Sequence, residues 1–340
     1  MKGCTEGKPT VKIVLYVKID LLKLQRNRKN GFRLFYIDIN VEKGGIKMYH
    51  ILYNPYAGNG RGEMCAKKLD DFYGSENTVY YKMTEIKNYQ QAFFDKLENG
   101  DKAVIVGGDG TLNRFINDIE GIDYKCDIFY YASGSGNDFL KDLNKPKDCE
   151  PFAINKYIKC LPTVTINGVS RRFLNGIGYG IDGYCCEEGD KKRNNNGKPI
   201  NYTPIALKGL LYDFKPVDAE IIIDGKRYTF EKIWLAPAMH GRFYGGGVMA
   251  APKQDRLNDE GTLTLAVMRN LGRIRSLTVF PTLYSGKHVE HTDIVTIMTG
   301  KEITVSFNRP TALQIDGETV KNVTSYSVKS GRLAMSAPES

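Results

Sequence analysis

No stretch of this sequence approaches the ~18 consecutive apolar residues of a membrane-spanning helix. The early apolar run Ile13 to Val17 is broken by Lys18 and Asp20, and no small-residue cleavage pattern follows it. That argues against a secretory signal peptide. Cysteine is sparse and odd in number: Cys4, Cys65, Cys126, Cys149, Cys160, Cys185 and Cys186, with no Cys-x-x-Cys. A disulfide framework and a zinc ribbon are thereby disfavoured, and reduced thiols in the cytoplasm are expected. The four histidines (His50, His240, His288, His291) show no metal or triad spacing, and His288 and His291 read as surface residues. No Gly-x-x-x-x-Gly-Lys-Ser/Thr phosphate loop is present. Positive charge is also scarcer than the net +9 suggests. Residues 1–47 hold eleven Lys/Arg against four acids, a net +7, which leaves +2 for the remainder. The main body is nearly neutral and gives no support for nucleic-acid binding.

Met48 directly precedes the first strand-like run, and Lys43-Gly44-Gly45 is what a translated purine-rich ribosome-binding sequence would encode. The reading favours a chain starting at Met48, with a basic arm on anionic lipid as the rival. Intact mass of the native protein checks this, and a species retaining residues 1–47 would exclude it.

What is abundant is glycine placed after strands. Ala103 to Val106, apolar and β-branched, ends in Gly107-Gly108-Asp109-Gly110-Thr111, with Asn113 following. The pattern predicts a buried strand, a tight loop and a helix start. Glycines admit a ligand close to bare N–H groups, and a helix start favours anions. Asp109 opposes a phosphate unless a cation lies between, so the loop suggests a nucleoside triphosphate with Mg²⁺. Two more such loops follow strand-like runs: Asn54-Pro55-Tyr56-Ala57-Gly58 and Ser133-Gly134-Ser135-Gly136-Asn137-Asp138-Phe139. In an open α/β sheet the strand carboxyl ends line one crevice, so all three loops would face one ligand. For each loop the plain alternative is a strand-ending glycine turn.

After Met48 the alternation predicts strands near 49–53, 78–83, 103–106 and 127–132. Helices are expected near 62–73, 86–98, 111–119 and 137–143. This is a parallel sheet with helices on its faces. From about Pro151, alternating strand-like runs dominate (219–223, 228–235, 262–267, 294–298, 303–307), with an Asp224-Gly225 hairpin and a helical piece near 204–213. Asp190 to Lys198 reads as a solvated loop.

The residues Asn54-Pro55 with Gly58, Gly107 to Thr111, Gly134 to Phe139 and Asp316-Gly317-Glu318 resemble the diacylglycerol kinase catalytic family, from about Met48 to the C-terminus. The glycine–aspartate loop is shared with NAD kinases, whereas Gly-Asn-Asp-Phe points to lipid kinases. The resemblance implies an α/β nucleotide-binding domain of the NAD kinase/diacylglycerol kinase type over 48–150, joined by a segment returning at about 328–337. A mostly antiparallel β-sandwich lipid-substrate domain is expected over 151–327. It implies transfer of the ATP γ-phosphate to a lipid hydroxyl, most simply that of diacylglycerol, with Mg²⁺. Transient peripheral membrane contact and a homodimer are compatible partners; nucleic acid is not. The nucleotide site maps onto Asn54, Gly58, Thr84, Gly107, Gly108, Asp109, Gly110, Thr111, Asn113, Gly134, Ser135, Asn137 and Asp138. Thr84 and Asp138 also fit helix-terminal roles. Asp109 is the implied Mg²⁺ holder. Glu318 is the implied base, with Asp316 as metal partner or alternative base. A second, structural cation is implied at Leu257, Glu260 and Thr262, where Glu260 departs from the family's aspartate and the adjacent Asp259 is the alternative ligand. Arg114 departs too, standing where a glutamate is usual. Gly178-Tyr179-Gly180-Ile181-Asp182-Gly183 matches a dinucleotide fingerprint but lacks evident strand–helix context; the resemblance places it near the lipid cleft. The alternatives are an NAD kinase and a non-catalytic lipid- or nucleotide-binding regulator.

Overall fold

The computed structural model describes residues 47–134, 136–196 and 201–331. The expected basic extension, Ser135 and the part of the C-terminal return beyond Gly331 lie outside the described residues. The described chain from Lys47 onward packs as one unit.

The first sheet contains β1 (Tyr49–Tyr53), β2 (Thr78–Lys82), β3 (Lys102–Gly107), β4 (Asp127–Ala132) and the short β5 (Phe152–Ala153), in the order β2-β1-β3-β4-β5. All pairings are parallel except that of β4 with β5. Ala103 to Val106 are wholly buried, as expected of a central parallel strand covered on both faces. The alternation is clear. Leu52, Ala103, Ile105, Ile128 and Tyr130 point into one apolar layer, and Ile51, Tyr53, Val104 and Val106 into the opposite one. Successive side chains leave a strand on opposite faces, so two cores form on one sheet. β5 carries this sheet past the boundary expected at 150.

Helices form at Asp109–Asp118 and Asp138–Asp142, close to expectation. The expected helix 62–73 is divided into Gly62–Lys67 and Asp70–Tyr73. That over 86–98 shrinks to Tyr89–Ala92, followed by a 3₁₀ turn at Phe94–Lys96. Phe93 leaves helical geometry (φ −132°) and buries its ring edge-on against Tyr81, Tyr89 and Phe94. Tertiary packing overrides helix propensity there.

The second sheet contains β6 (Thr163–Ile166), β7 (Val169–Arg172), β8 (Gly176–Tyr179), β9 (Val217–Ile223), β10 (Lys226–Leu235), β11 (Ala238–Met239), β12 (Leu263–Arg269), β13 (Val295–Gly300), β14 (Glu302–Ile315) and β15 (Glu318–Lys329). Every pairing is antiparallel. The long β14 pairs with β9 through Ile303–Phe307 and with β8 through Leu313–Ile315, so it is shared between two faces. Its pairing with β15 shifts register between Ser306 and Leu313, the stretch holding Pro310, which has no N–H for a ladder. The core enclosed includes Phe173, Ile177, Ile221, Ile233, Leu265, Val305 and Val323. Asp224 (φ 47°) and Gly225 (φ 81°) form the expected tight turn, the left-handed pair a two-residue hairpin requires.

The expected loop is corrected over residues 190–196, where a helix runs from Ile181 to Asn196; its last two residues, 197 and 198, lie outside the described residues. Lys191 lies 2.6 Å from Glu188 and 3.5 Å from Glu187, pairs at helical spacing that support the turn. The histidine reading is corrected as well. His288 is buried, with Nε2 3.1 Å from the Ala250 carbonyl.

Candidate active site

The four parallel strands end on the same edge of the first sheet. The order of strand addition reverses between β1 and β3: the chain goes outward from β1 to β2 on one side, then back past β1 to β3 and on to β4 on the other. Such a switch point opens a crevice at the carboxyl ends. The loop Asn54–Gly62 leaves β1, Gly107–Thr111 leaves β3, and Ser133–Asp138 leaves β4. Thr84 is exposed in the turn after β2, on this same edge.

The loops touch through glycine. A Cβ on Gly134 would lie 2.5 Å from the Gly108 Cα and 2.8 Å from Asn137 Oδ1. A side chain at either glycine would separate the loops after β3 and β4. Gly107 leaves room for the buried Thr111 side chain, while a side chain at Gly110 would meet open space. Gly58, left-handed at φ 60°, approaches the Ser133 carbonyl. Asn54 Oδ1 accepts from Tyr56 N–H at 3.0 Å and shapes the first loop.

Asp109 receives the Asp138 N–H on Oδ2 (2.6 Å) and the Phe139 N–H on Oδ1 (3.2 Å). It thus satisfies two free donors at the start of the next helix. Asp138 in turn reaches the antiparallel half of the molecule: Gly246 N–H donates to its Oδ2 at 2.7 Å. Asp316 Oδ1 accepts from the Asn175 and Gly176 N–H groups (2.8 and 3.1 Å), and its Oδ2 from Leu174 N–H and Asn113 Nδ2, both at 2.5 Å. The Asn113–Asp316 contact links residues 203 positions apart and joins the two halves at the crevice.

These carboxylates strain one another electrostatically. Burial, reinforced by the Asp138 charge, pushes Asp109 up to about 7. Burial also raises Asp138 and Asp316. Lys141, 3.9 Å from Asp138 Oδ1, offsets part of this charge. Asp138 Oδ1 and Asn137 Oδ1 are buried without hydrogen-bond partners, an unfavourable arrangement in isolation. No three His, Cys, Asp or Glu among the described residues form a metal cage. The donor set does fit Mg²⁺ in its common mode, held by one or two carboxylates with the remaining positions left to phosphate and water.

The other expected residues lie in the antiparallel half. Asp316, the expected metal partner or alternative base, is held by four donors and so also latches the two halves across the crevice. Glu318 is exposed at the start of β15, with Oε2 2.7 Å from Arg171 Nη1. At Leu257, Glu260 and Thr262, the expected cation residues, the turn is held by side-chain amides. Gln254 Nε2 and Asn258 Nδ2 each donate to the Thr262 carbonyl at 3.0 Å, and Asn258 Nδ2 also donates to the Asp255 carbonyl (2.6 Å). Both lone pairs of the Thr262 carbonyl are thus taken by side-chain amides, and Glu260 points to solvent. Arg114 pairs with Asp118 at 3.5 Å on the helix surface.

The fingerprint at Gly178 does have strand–helix context, since β8 leads into the helix Ile181–Asn196. Its glycines serve packing. Gly178 leaves room for Asp182 and Gln314, Gly180 (φ 112°) abuts the Trp234 carbonyl, and Gly183 abuts Ala312. Asp182, pushed up to about 6 by burial, accepts from the Tyr244 hydroxyl at 3.0 Å.

Sequence reasoning missed a second bridge across the crevice. Asp142 accepts from Arg242 (backbone N 2.9 Å, Nε 3.0 Å) and from Arg256 Nε (2.5 Å). Arg256 also donates to the Leu174 carbonyl and Asn175 Oδ1, and it lies 4.6 Å over the Phe139 ring. Beside this network lies a cavity of about 410 Å³.

Both halves of the chain are similar to known proteins. The profile of the family described as "Diacylglycerol kinase catalytic domain" matches residues 48–164, and "YegS C-terminal NAD kinase beta sandwich-like domain" matches residues 175–335. A diacylglycerol kinase from Mycobacterium tuberculosis is 25% identical over 203 residues, 58% of this chain and 64% of that protein. The chain therefore spans slightly less than two thirds of that relative. A diacylglycerol kinase from Bacillus subtilis is 26% identical over 289 residues, 80% of this chain and 90% of that protein. A crystal structure of a diacylglycerol kinase from Bacillus anthracis shares the fold with a TM-score of 0.56 at 21% identity, covering 84% of this chain and 95% of that one. Both halves are thus matched in order from residue 48 to residue 335, a diacylglycerol kinase catalytic domain followed by a YegS-type C-terminal NAD kinase beta sandwich-like domain.

Proposed function

We propose that the protein is a lipid kinase that transfers the γ-phosphoryl group of ATP to a lipid hydroxyl, with diacylglycerol the simplest acceptor and phosphatidate the product. The observation that carries this reading is the meeting, at one crevice, of two glycine loops packed backbone against backbone and the Asp109, Asp138 and Asp316 carboxylates. Glycine loops present backbone N–H groups to phosphate oxygens, while like charges held together in a partly desolvated site await a cation. Mg²⁺, when bound, spreads the charge of the transferring phosphoryl group. Asp109, Asp138 and Asn137 are the residues that would hold it.

The remaining work falls to the chain itself. The loops at Gly58, Gly107 to Gly110 and Gly134 seat the nucleotide phosphates. Asn113 and Asp316 fix the antiparallel half against that seat, so that an acceptor held there is presented to the γ-phosphorus. The hydroxyl oxygen forms the new P–O bond, its proton passes to the Glu318 carboxylate, and the bond to the β-phosphate oxygen breaks, releasing ADP. Because phosphoryl transfer depends mainly on positioning and charge, a fixed crevice suits the chemistry. No described helix is long and apolar enough to cross a membrane, so the lipid would be met at a membrane surface. A homodimer is compatible with this reading.

Glu318→Gln is expected to lower kcat by ~10²–10⁴-fold, the range for loss of a general base. The melting temperature should stay nearly unchanged, because an exposed ion pair such as Glu318–Arg171 contributes at most ~1 kcal/mol. The test is transfer from labelled ATP to diacylglycerol in mixed micelles, with NAD as a parallel acceptor. Full activity in the variant would remove Glu318 from the chemistry, and labelled NADP with no lipid phosphate would overturn the lipid-kinase reading.

A further inference from the structure

The antiparallel half carries a helical layer that is apolar on both sides. Its inner side is a small core in which Leu210, Phe214, Val279 and Leu283 pack on Trp234 and Leu235. The outer side should then be polar, as in an ordinary surface helix. It is not. Ile274 is 84% exposed, Tyr212 73%, Tyr284 62% and Leu207 48%, with Leu277 also exposed. These residues come from three segments that pack together: Tyr202–Lys208 with its continuation Gly209–Asp213, Arg273–Val279, and the 3₁₀ turn Phe280–Ser285. Arg273 clamps the first to the second by donating to the Leu210 and Phe214 carbonyls.

Basic side chains outnumber acids around this patch: Lys208, Arg273, Arg275 and Lys287 stand against Asp213, which pairs with Lys208 at 2.8 Å, and Asp293, which pairs with Arg275 at 2.6 Å. From Arg269 to Lys287 the chain holds Arg269, Arg273, Arg275 and Lys287 and no acidic residue. Arg275 is half-exposed beside Asp293, and Lys287 is exposed. The patch is also tied to the crevice. Met249 N–H donates to the Leu283 carbonyl, and His288 lies on the Ala250 carbonyl. The same loop, through Gly246, holds Asp138.

We infer that this face, centred on Ile274, Leu277 and Tyr284, is a docking surface for an anionic lipid bilayer. Aliphatic and tyrosine side chains among arginines match the interfacial zone of a membrane, where apolar area and attraction to anionic headgroups act together. The inference deepens the lipid-kinase reading by assigning the surface that would bring the crevice to its substrate.

The test separates the two readings. The full-length protein and an Ile274→Glu/Leu277→Glu variant are sedimented with vesicles of phosphatidylglycerol and phosphatidylcholine, and with phosphatidylcholine alone, at low and high salt. Both are also assayed on a short-chain diacylglycerol dispersed below its micelle concentration. Binding to anionic vesicles should fall at least ~10-fold in the variant. The wild type should prefer anionic vesicles and lose that preference in high salt. Activity on the dispersed lipid and the melting temperature should not move. Unchanged vesicle binding in the variant would overturn the inference. So would a wild-type dimer that the variant converts to monomers without altered vesicle binding, because the patch would then be a subunit contact. Loss of vesicle binding with no phosphorylation of any lipid by the wild type would uphold the docking surface and remove the kinase reading.

Discussion

Asp109→Asn is expected to lower phosphoryl transfer by ~10²-fold or more, the scale for losing a main electrostatic stabiliser, while raising the melting temperature of the ligand-free protein at pH 8. The two effects share one cause. Burial and the neighbouring Asp138 charge push the Asp109 carboxyl from its ordinary 3.8 up to about 7. A group whose folded value is raised contributes stability below its unfolded value, and that contribution is lost as pH rises through the folded value. The ligand-free wild type should therefore lose stability from this group between about pH 4 and pH 7. At ~1.4 kcal/mol per decade the ceiling on that loss is about 4 kcal/mol. Asparagine removes the charge but keeps only one acceptor for the Asp138 and Phe139 amides, which returns ~1–2 kcal/mol. The net gain at pH 8 is about 2 kcal/mol, or several degrees in melting temperature. At pH 4.5, where Asp109 is protonated, the gain should vanish or reverse. A melting-temperature difference that does not change between pH 4.5 and pH 8 would show that the crowded carboxylates do not strain the empty site. A gain at pH 8 that vanishes at pH 4.5 is the pattern expected where binding geometry is kept at the expense of stability.

The part of this site legible in the sequence is the part written locally. A β-branched run ending in Gly-Gly-Asp-Gly announces strand, loop and helix start within nine residues, and the structure places all three at Lys102–Asp118. Asn137 and Gly134 are legible for the same reason. Two kinds of feature are not. One depends on contacts far apart in sequence. Nothing near Asp316 tells that its carboxylate receives three consecutive N–H groups from Leu174 to Gly176, nor that Asn113 completes the set. The other is competition between equivalent groups. The turn Leu257 to Thr262 has the residue types of a cation site, and nothing in its sequence tells that the Asn258 and Gln254 amides donate to the Thr262 carbonyl. The helix through 190–196 is a milder case. Its asparagines favour a loop by propensity, and the pairing of Lys191 with Glu187 and Glu188 at helical spacing outweighs them.

The bridge that sequence reasoning missed carries the largest predicted stability effect. Asp142→Ala is expected to destabilise the protein by ~3–5 kcal/mol, because it leaves a charged guanidinium buried without its partner. The side chains of Asp142 and Arg256 are 4% and 2% exposed, so water cannot replace the lost contact. Burial alone would raise the Asp142 carboxyl, but Arg256, the Arg242 amide and the Arg242 guanidinium outweigh it and hold it below the usual carboxylate range. A depressed value means stability that is present above the unfolded value, near pH 4, and lost as pH falls through the folded one. The wild type should therefore shed this contribution only in strong acid. The gap between wild type and variant should be full at pH 7 and should narrow below pH 4. The bridge is also a positioning device. Asp142 ends the helix that begins at Asp138, while Arg242 and Arg256 belong to the antiparallel half. A second variant separates charge pairing from packing: Asp142→Leu with Arg256→Met fills a similar volume without ions, and such replacements are often neutral or stabilising. If the double variant recovers the melting temperature but not the KM for lipid, the ion pair sets the geometry of the crevice. If it recovers both, the pair is interchangeable with apolar packing. If Asp142→Ala melts within ~1 kcal/mol of the wild type at pH 7, the buried pair described here does not hold the two halves together.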